Sequence, residues 1–313
     1  MALWGRQVRF EVGQSGSIGF SISDLRVMFR ITHTQGGAPS QATISIFNLQ
    51  AESIAEFQRE DAIVRLFAGY DVPLLIFQGS TVIDGVSVDK RGPDRVLNVK
   101  AQDGLIEVQQ SQVDVTLDGE TTLMDILTEA LGQLGLPIGP QADLPDTRFQ
   151  DYTFHGDASD LLDRVASMGG VDWTIRDGTF VTVAEGEDTG EGSLLINAEA
   201  GNMIGSPSRK DGGIQVTALL DAGMRPGMAF RVESDQINGD FTAGEVVFSG
   251  DSGHSNPFYM TITGTERPGV SEADTGTEGS TFADLVSIFG EGEDADVFAG
   301  GTEDFEESSG VTI

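Results

Sequence analysis

His33, His155 and His254 are the only imidazoles in this 313-residue chain, which contains no cysteine. Disulfides and thiolate chemistry are therefore excluded, and three scattered histidines make a multi-histidine metal cluster improbable. A Ser–His–Asp arrangement would need one of those rings beside a serine and a carboxylate. The segment Phe154-His155-Gly156-Asp157 offers an imidazole, but it stands just before a helix cap. A structural hydrogen-bonding role fits that place better than catalysis. In residues 250–257, Asp251, Ser252 and Asn256 lie beside His254 and present oxygens of the kind a hard cation takes. Their spacing is not that of a calcium loop, and the alternating flanks make it a hairpin loop. Fifty acidic residues supply so many carboxylate pairs that no pair is singled out for glycoside hydrolysis. No glycine loop with a lysine cradles phosphate, and no dinucleotide fingerprint opens a helix. The reading is a protein without catalytic residues, bound metal or cofactor, hence not an enzyme.

The charge is more informative. Against the fifty acids stand eighteen basic residues, of which only Lys90, Lys100 and Lys210 are lysines, and the net charge is −32. Such a surface repels phosphate and disfavours ordinary nucleic-acid binding. It suits a protein past which nucleic acid must slide without sticking; a saline habitat accounts for the acidity equally well. Basic residues interleaved with aromatics, the pattern of single-strand binding, are absent. No apolar run approaches the ~20 residues that span a bilayer. The stretch Met1-Ala2-Leu3-Trp4-Gly5-Arg6 lacks a signal peptide's apolar core, so the expectation is a protein that works where it is made or leaves by another route.

Four segments would have to position any site. Residues 1–109 read as strands. Leu25, Val27, Phe29 and Ile31 alternate with Arg26, Met28, Arg30 and Thr32, and Ala42, Ile44 and Ile46 alternate again after a turn at 36–40. A helical turn follows at 53–57, then strands at 62–68, 74–77, 82–88 and 96–101, which predict a small barrel or sandwich. In 110–192, Leu123, Ile126, Leu127, Ala130, Leu131 and Leu134 have helical spacing, with Thr121 or Thr122 as N-cap and Gly135-Leu136-Pro137 as stop. A second helix is predicted over 159–168, capped by Asp157 or Ser159. A hairpin through Trp173 then turns at Asp177-Gly178, and an acidic linker occupies 185–192. Residues 193–267 read as a second compact barrel, with strands at 194–196, 214–219, 229–233, 245–248 and 258–263. Residues 268–313 are a tail with twelve acids and no base, a composition that predicts disorder in isolation. Its amphipathic island, Phe282, Leu285, Val286 and Phe289, has the look of a segment that docks on a partner.

The order of several short strings resembles the baseplate hub proteins of long-tailed bacteriophages. In the first segment these are Asn48-Leu49 after 43–47, Gly69-Tyr70 after 64–68, Gly79 after 76–78, and Asp103-Gly104 after 99–102. Further on they are Gly205-Ser206-Pro207, residues 213–216 and 219–221, Arg225-Pro226-Gly227, Gly239-Asp240-Phe241 and Ser249-Gly250-Asp251. The likeness covers about residues 6–266 and leaves out the acidic tail. It implies a mainly β chain in which two tube-like β-barrel domains flank a small α+β insertion. It further implies a homotrimer whose six barrels make a pseudo-sixfold ring. A tail tube or distal tail protein would sit above, a tip, spike or fibre protein below, and a tape measure protein is a further partner. Interfaces would exceed ~2,000 Å², as in obligate assemblies. An acidic lumen would let genomic DNA pass without specific binding. The location implied is the virion tail tip, assembled in host cytoplasm, with no stable membrane insertion. Three other readings stay open. One is a carbohydrate-binding, adhesin-like module using Trp4, Trp173, Tyr70, Tyr152 or Tyr259; the others are a cell-wall hydrolase and a tube or distal ring protein.

Overall fold

The computed structural model describes residues 5–14, 17–35, 39–59, 62–139, 141–184, 192–210, 212–253 and 257–267. The turn residues Gly36 to Ala38, most of the acidic linker, Trp4, His254, Asn256 and the whole tail with Phe282, Leu285, Val286 and Phe289 lie outside them.

Alternation builds the first layer. β1 (Arg6–Gln14), β2 (Ser17–Ile22), β3 (Val27–Thr34) and β4 (Gln41–Phe47) precede a short helix, α1 (Ala51–Phe57). β5 (Ile63–Tyr70), β6 (Leu74–Arg91) and β7 (Asp94–Gln102) follow. In β3 the residues Val27, Phe29, Ile31 and His33 face the core, and β3 pairs with β4 in the register Val27↔Ile46 that the two alternations require. The sequence suggests separate strands at 74–77 and 82–88, but β6 is one strand of 18 residues. Gly79 keeps it continuous, because a Cβ there would overlap the Gln102 carbonyl of β7, and a bulge between Thr81 and Val86 absorbs the bend.

A π-helical turn (Leu105–Gln109) leads into the insertion. This comprises β8 (Gln112–Thr122), α2 (Leu123–Leu134), β9 (Arg148–Asp157), α3 (Ala158–Gly169), β10 (Val171–Arg176) and β11 (Thr179–Ala184). Thr122 caps α2 in a full capping box with Asp125, whereas Asp157 at the start of α3 makes no side-chain cap bond. Antiparallel pairing of β8 with β9, across the intervening α2, adds a second two-stranded sheet to the hairpin through Trp173. The insertion packs its own core from Val113, Val115, Leu127, Leu131, Leu162, Trp173 and Phe180.

The chain returns through β12 (Ser193–Asn197), β13 (Met203–Lys210), β14 (Gly213–Leu219), β15 (Ala229–Glu233), β16 (Gly239–Asp251) and β17 (Phe258–Glu266). These strands do not close into a barrel, nor do those of the first segment. All belong to one thirteen-stranded sheet whose main path runs β13-β14-β17-β16-β3-β4-β7-β6-β5-β1-β2, with β15 and then β12 branching from β16, and among the described residues its end strands pair on one side only. The two closed barrels expected within one chain are therefore corrected to parts of an open sheet. The reason lies in β16, long enough at 13 residues to pair with β15 and β17 and also with β3, from Glu245↔Thr34 to Asp251↔Met28. One core, reaching from Phe10 and Leu66 through Ile31 and Ile44 to Phe248 and Ile262, serves all these strands.

Candidate functional site

The motif residues occupy turns, close approaches and cross-links. Asn48 leaves β4 at φ 58°, a conformation asparagine tolerates. Its Nδ2 donates to Asp94 Oδ1 at 2.9 Å and its Oδ1 accepts from the Arg95 amide at 3.0 Å. Leu49 is buried in the main core. At Gly69 a Cβ would stand 2.7 Å from the Val72 carbonyl oxygen, and Tyr70 Oη donates to the Phe258 carbonyl at 3.1 Å. At Gly250 a Cβ would overlap Phe29 Cζ, leaving no room for a side chain. Asp251, 1% exposed, accepts from Arg26 Nη2 at 2.7 Å and Nε at 3.1 Å, tying the end of β16 to the entry of β3.

Asp103, Gly104, Arg225, Pro226 and Gly227 converge on one buried junction. Arg225 Nη1 donates to the carbonyls of Ala222 (2.7 Å) and Met224 (3.0 Å). Its Nη2 reaches the Leu75 carbonyl at 2.8 Å and Asp177 Oδ2 at 2.9 Å. Asp177, in the β10–β11 turn, donates its amide to Asp103 Oδ2 at 3.2 Å. The Pro226 carbonyl accepts from Arg176 Nη2 at 3.0 Å, and Gly227, at φ 82°, donates its amide to the Ala243 carbonyl at 2.7 Å. Below them His33 places Nε2 2.8 Å from the Ile76 carbonyl, so that nitrogen carries the proton, and Nδ1 lies 2.9 Å from Ser40 Oγ. Burial, then the Arg225 charge, lowers the His33 pKa to about 4. Burial, then the Asp177 and Glu107 charges, pushes Asp103 well above the usual carboxylate range. Beside Asp103 and Trp173 there is only a cavity of about 70 Å³, room for water rather than a substrate. The junction is a clamp among β6, the insertion and the 222–227 loop.

The side of the central strands away from the core is an open face. Cross-strand pairing puts Lys100, Thr43, Arg30, Ser249 and Tyr259 in one row. Gln102, Gln41, Thr32, Val247, Thr261 and Thr217 form the next, and Thr34, Glu245, Thr263 and Gln215 a third. Hydroxyls and amides dominate these rows, with Arg30 and Lys100 against the single carboxylate Glu245. Thr217 and Thr261 hydrogen-bond across strands at 3.3 Å, and Gln215 donates to Thr263 Oγ1 at 3.4 Å.

The chemistry-bearing candidates are not assembled. His155 is 73% exposed on β9, 4.0 Å from Asp114, its cross-strand neighbour. Asp251 is committed to Arg26, and Ser252 Oγ accepts from the Val27 amide. Among the described residues no group of three or more His, Asp or Glu side chains could hold a metal. No helix there is long and apolar enough to cross a membrane. Of the aromatic candidates, Trp173 is 7% exposed and donates to Asp163 Oδ1, Tyr70 and Tyr152 pack against the cores, Tyr259 lies in a row of the open face, and Trp4 is outside the described residues. Neither His33, read only as one of three scattered imidazoles, nor Asp177, read only as a turn residue, carries a role in the sequence pattern. The signal for His33 was parity, since it continues the series Val27, Phe29, Ile31.

Comparison with solved structures returns tail proteins at low identity. The 43 kDa tail protein of prophage MuSo2 from Shewanella oneidensis has a TM-score of 0.62 at 11% identity, over 84% of this chain and 97% of that one. A tail protein from Neisseria meningitidis MC58 has a TM-score of 0.60 at 11% identity, with the same coverage of 84% and 97%. The E. coli c3393 protein has a TM-score of 0.55 at 10% identity, over 82% of this chain and 76% of that one. It is described as a type VI secretion component structurally similar to T4 bacteriophage tail proteins gp27 and gp5. These likenesses concern the fold. No curated protein matches the chain by sequence. A family profile does, over residues 7–264 from β1 into β17, and by that match the chain belongs to the baseplate hub gp41 family, structural tail proteins rather than enzymes.

Proposed function

We propose that three copies of the chain form the hub of a bacteriophage tail tip. Each copy contributes two strand-rich modules, 1–109 and 193–267, so that three copies present six staves around a passage. The ring meets a tail tube or distal tail protein above and a tip, spike or fibre protein below, with the tape measure protein as a further neighbour. Assembly takes place in the host cytoplasm. The observation carrying this reading is the open sheet. Among the described residues its end strands β2 and β13, and β12 on the side branch, pair on one side only, and free edges invite aggregation unless another strand or subunit covers them. Head-to-tail contacts between copies cover such edges and close a ring.

The open face supports a passage wall of a different character from the acidic lumen expected from net charge. Its rows of Thr, Ser and Gln carry Arg30 and Lys100 against Glu245. DNA beside such a wall meets few cations, gains little counterion-release affinity, and slides. The tail island Phe282, Leu285, Val286 and Phe289 docks on a neighbouring tip protein.

Native mass measurement tests the ring. A species of three 33.2 kDa chains is expected at micromolar concentration. A monomer that persists at the highest soluble concentration overturns the proposal.

A further inference from the structure

We infer that the insertion, residues 105–184, is a separately packed body latched to the sheet by the Asp177–Arg225 contact, and that this latch opens while the sheet stays folded. The inference does not depend on the ring.

Packing provides the first observation. The insertion's hydrophobic cluster runs from Val108 to Phe180 and shares no residue with the cluster that fills the sheet. Polar contacts form part of the seam between them. They include the Asp177 amide on Asp103 Oδ2 at 3.2 Å, the Asp177 carboxylate on Arg225 at 2.9 Å, and Arg176 Nη2 on the Pro226 carbonyl at 3.0 Å. Bodies with separate cores and a partly polar seam open with less loss of apolar burial than one shared core would require.

The second observation is how the latch divides. Three of Arg225's bonds go to the carbonyls of Leu75, Ala222 and Met224, so the guanidinium stays with the sheet when Asp177 leaves. Asp177 sits at φ 52° followed by Gly178 at φ 79°, a tight turn that holds β10 and β11 together by itself. Opening therefore does not require the hairpin to unfold. The chain enters the insertion through Gly104 at φ 64°, an element-terminal position of the kind that absorbs hinge rotation.

The third observation is an imperfection. Among the described residues Asp177 Oδ1 is buried without a hydrogen-bond partner. A buried unsatisfied acceptor costs free energy that water returns on opening. The closed state is thus held by one carboxylate oxygen and opposed by the other.

Hydrogen exchange read by mass spectrometry on the full chain tests the latch. In Asp177→Asn the turn is preserved, since Asn-Gly suits the same conformation, while the charge partner of Arg225 is lost. Exchange in β10, β11 and α3 is expected to rise at least tenfold, with β3, β4 and β16 unchanged. Arg225→Lys should show the same pattern, because an ammonium cannot reproduce the planar fork. Native-state exchange of the unaltered chain in rising denaturant keeps the test open should either variant fold poorly. There the insertion is expected to open at lower denaturant than the sheet. Equal changes in both bodies, no change in the insertion, or one merged opening transition overturns the inference.

Discussion

His33 shares the core face of β3 with Val27, Phe29 and Ile31, and the charges of Arg225, Asp177 and Arg176 act on it from the neighbouring elements. Burial and the Arg225 charge keep the ring neutral, lowering its pKa from 6.5 to about 4. The unfolded chain binds that proton at higher pH than the folded one. Stability from neutral His33 is therefore fully present above pH 6.5 and lost as pH falls toward 4, at up to about 1.4 kcal/mol per pH unit. Asp103 acts in the opposite sense. Its raised pKa favours the folded state at low pH, and that contribution declines as pH rises above the unfolded carboxylate value. With −32 charges, relief of self-repulsion on acidification also opposes the His33 effect. The informative quantity is thus the stability difference between the unaltered chain and His33→Gln. Denaturant unfolding from pH 7 to 4.5 is expected to show that difference shifting against the histidine form as pH falls; parallel curves would sink the assignment.

Local chemistry sets the helices and hairpins with little help from the rest of the chain. Thr122 caps α2, and Gly135, at φ 67°, ends it while the Leu136 amide bonds back to the Leu131 carbonyl. Losing such a cap costs about 1 kcal/mol. Thr122→Ala is therefore expected to lower the urea midpoint by a corresponding amount without changing the slope, and an unchanged midpoint would show the cap to be idle. The β3–β4 and β10–β11 hairpins formed where alternation and turn residues placed them. The β8–β9 pair went unforeseen because its strands lie about 25 residues apart with α2 between them, and β9 carries few large apolar residues. β6 was divided at Gly79 for a related reason. A glycine there reads as a turn, yet it is required by the approach of the Gln102 carbonyl.

Across the whole molecule, the thirteen-stranded sheet with one core explains why Gly250, Asp251, Tyr70 and Arg26 sit where they do. The Arg26–Asp251 and Tyr70–Phe258 contacts each join the first hundred residues to the last strands. Residues 268–313 hold twelve acids and no base around the Phe282–Phe289 island. Should that island dock on a tip protein, particles made with residues 269–313 deleted are expected to assemble with incomplete tips and reduced infectivity. Unchanged tips and infectivity would dismiss the docking.

The strand alternations, a helix cap at Thr121 or Thr122, the Asp177-Gly178 turn and the hub-like order of motifs could all be read from the chain alone. Each depends on residues near one another in sequence, or on composition. Whether strands close on themselves or join into one sheet could not be read that way. The pairing of β16 with β3 brings together residues more than two hundred positions apart, and no local pattern specifies it. The Asp177–Arg225 clamp belongs to the same class. Its partners come from a turn and a loop whose sequences promise only a change of direction, and burial at the meeting of three segments makes them a pair.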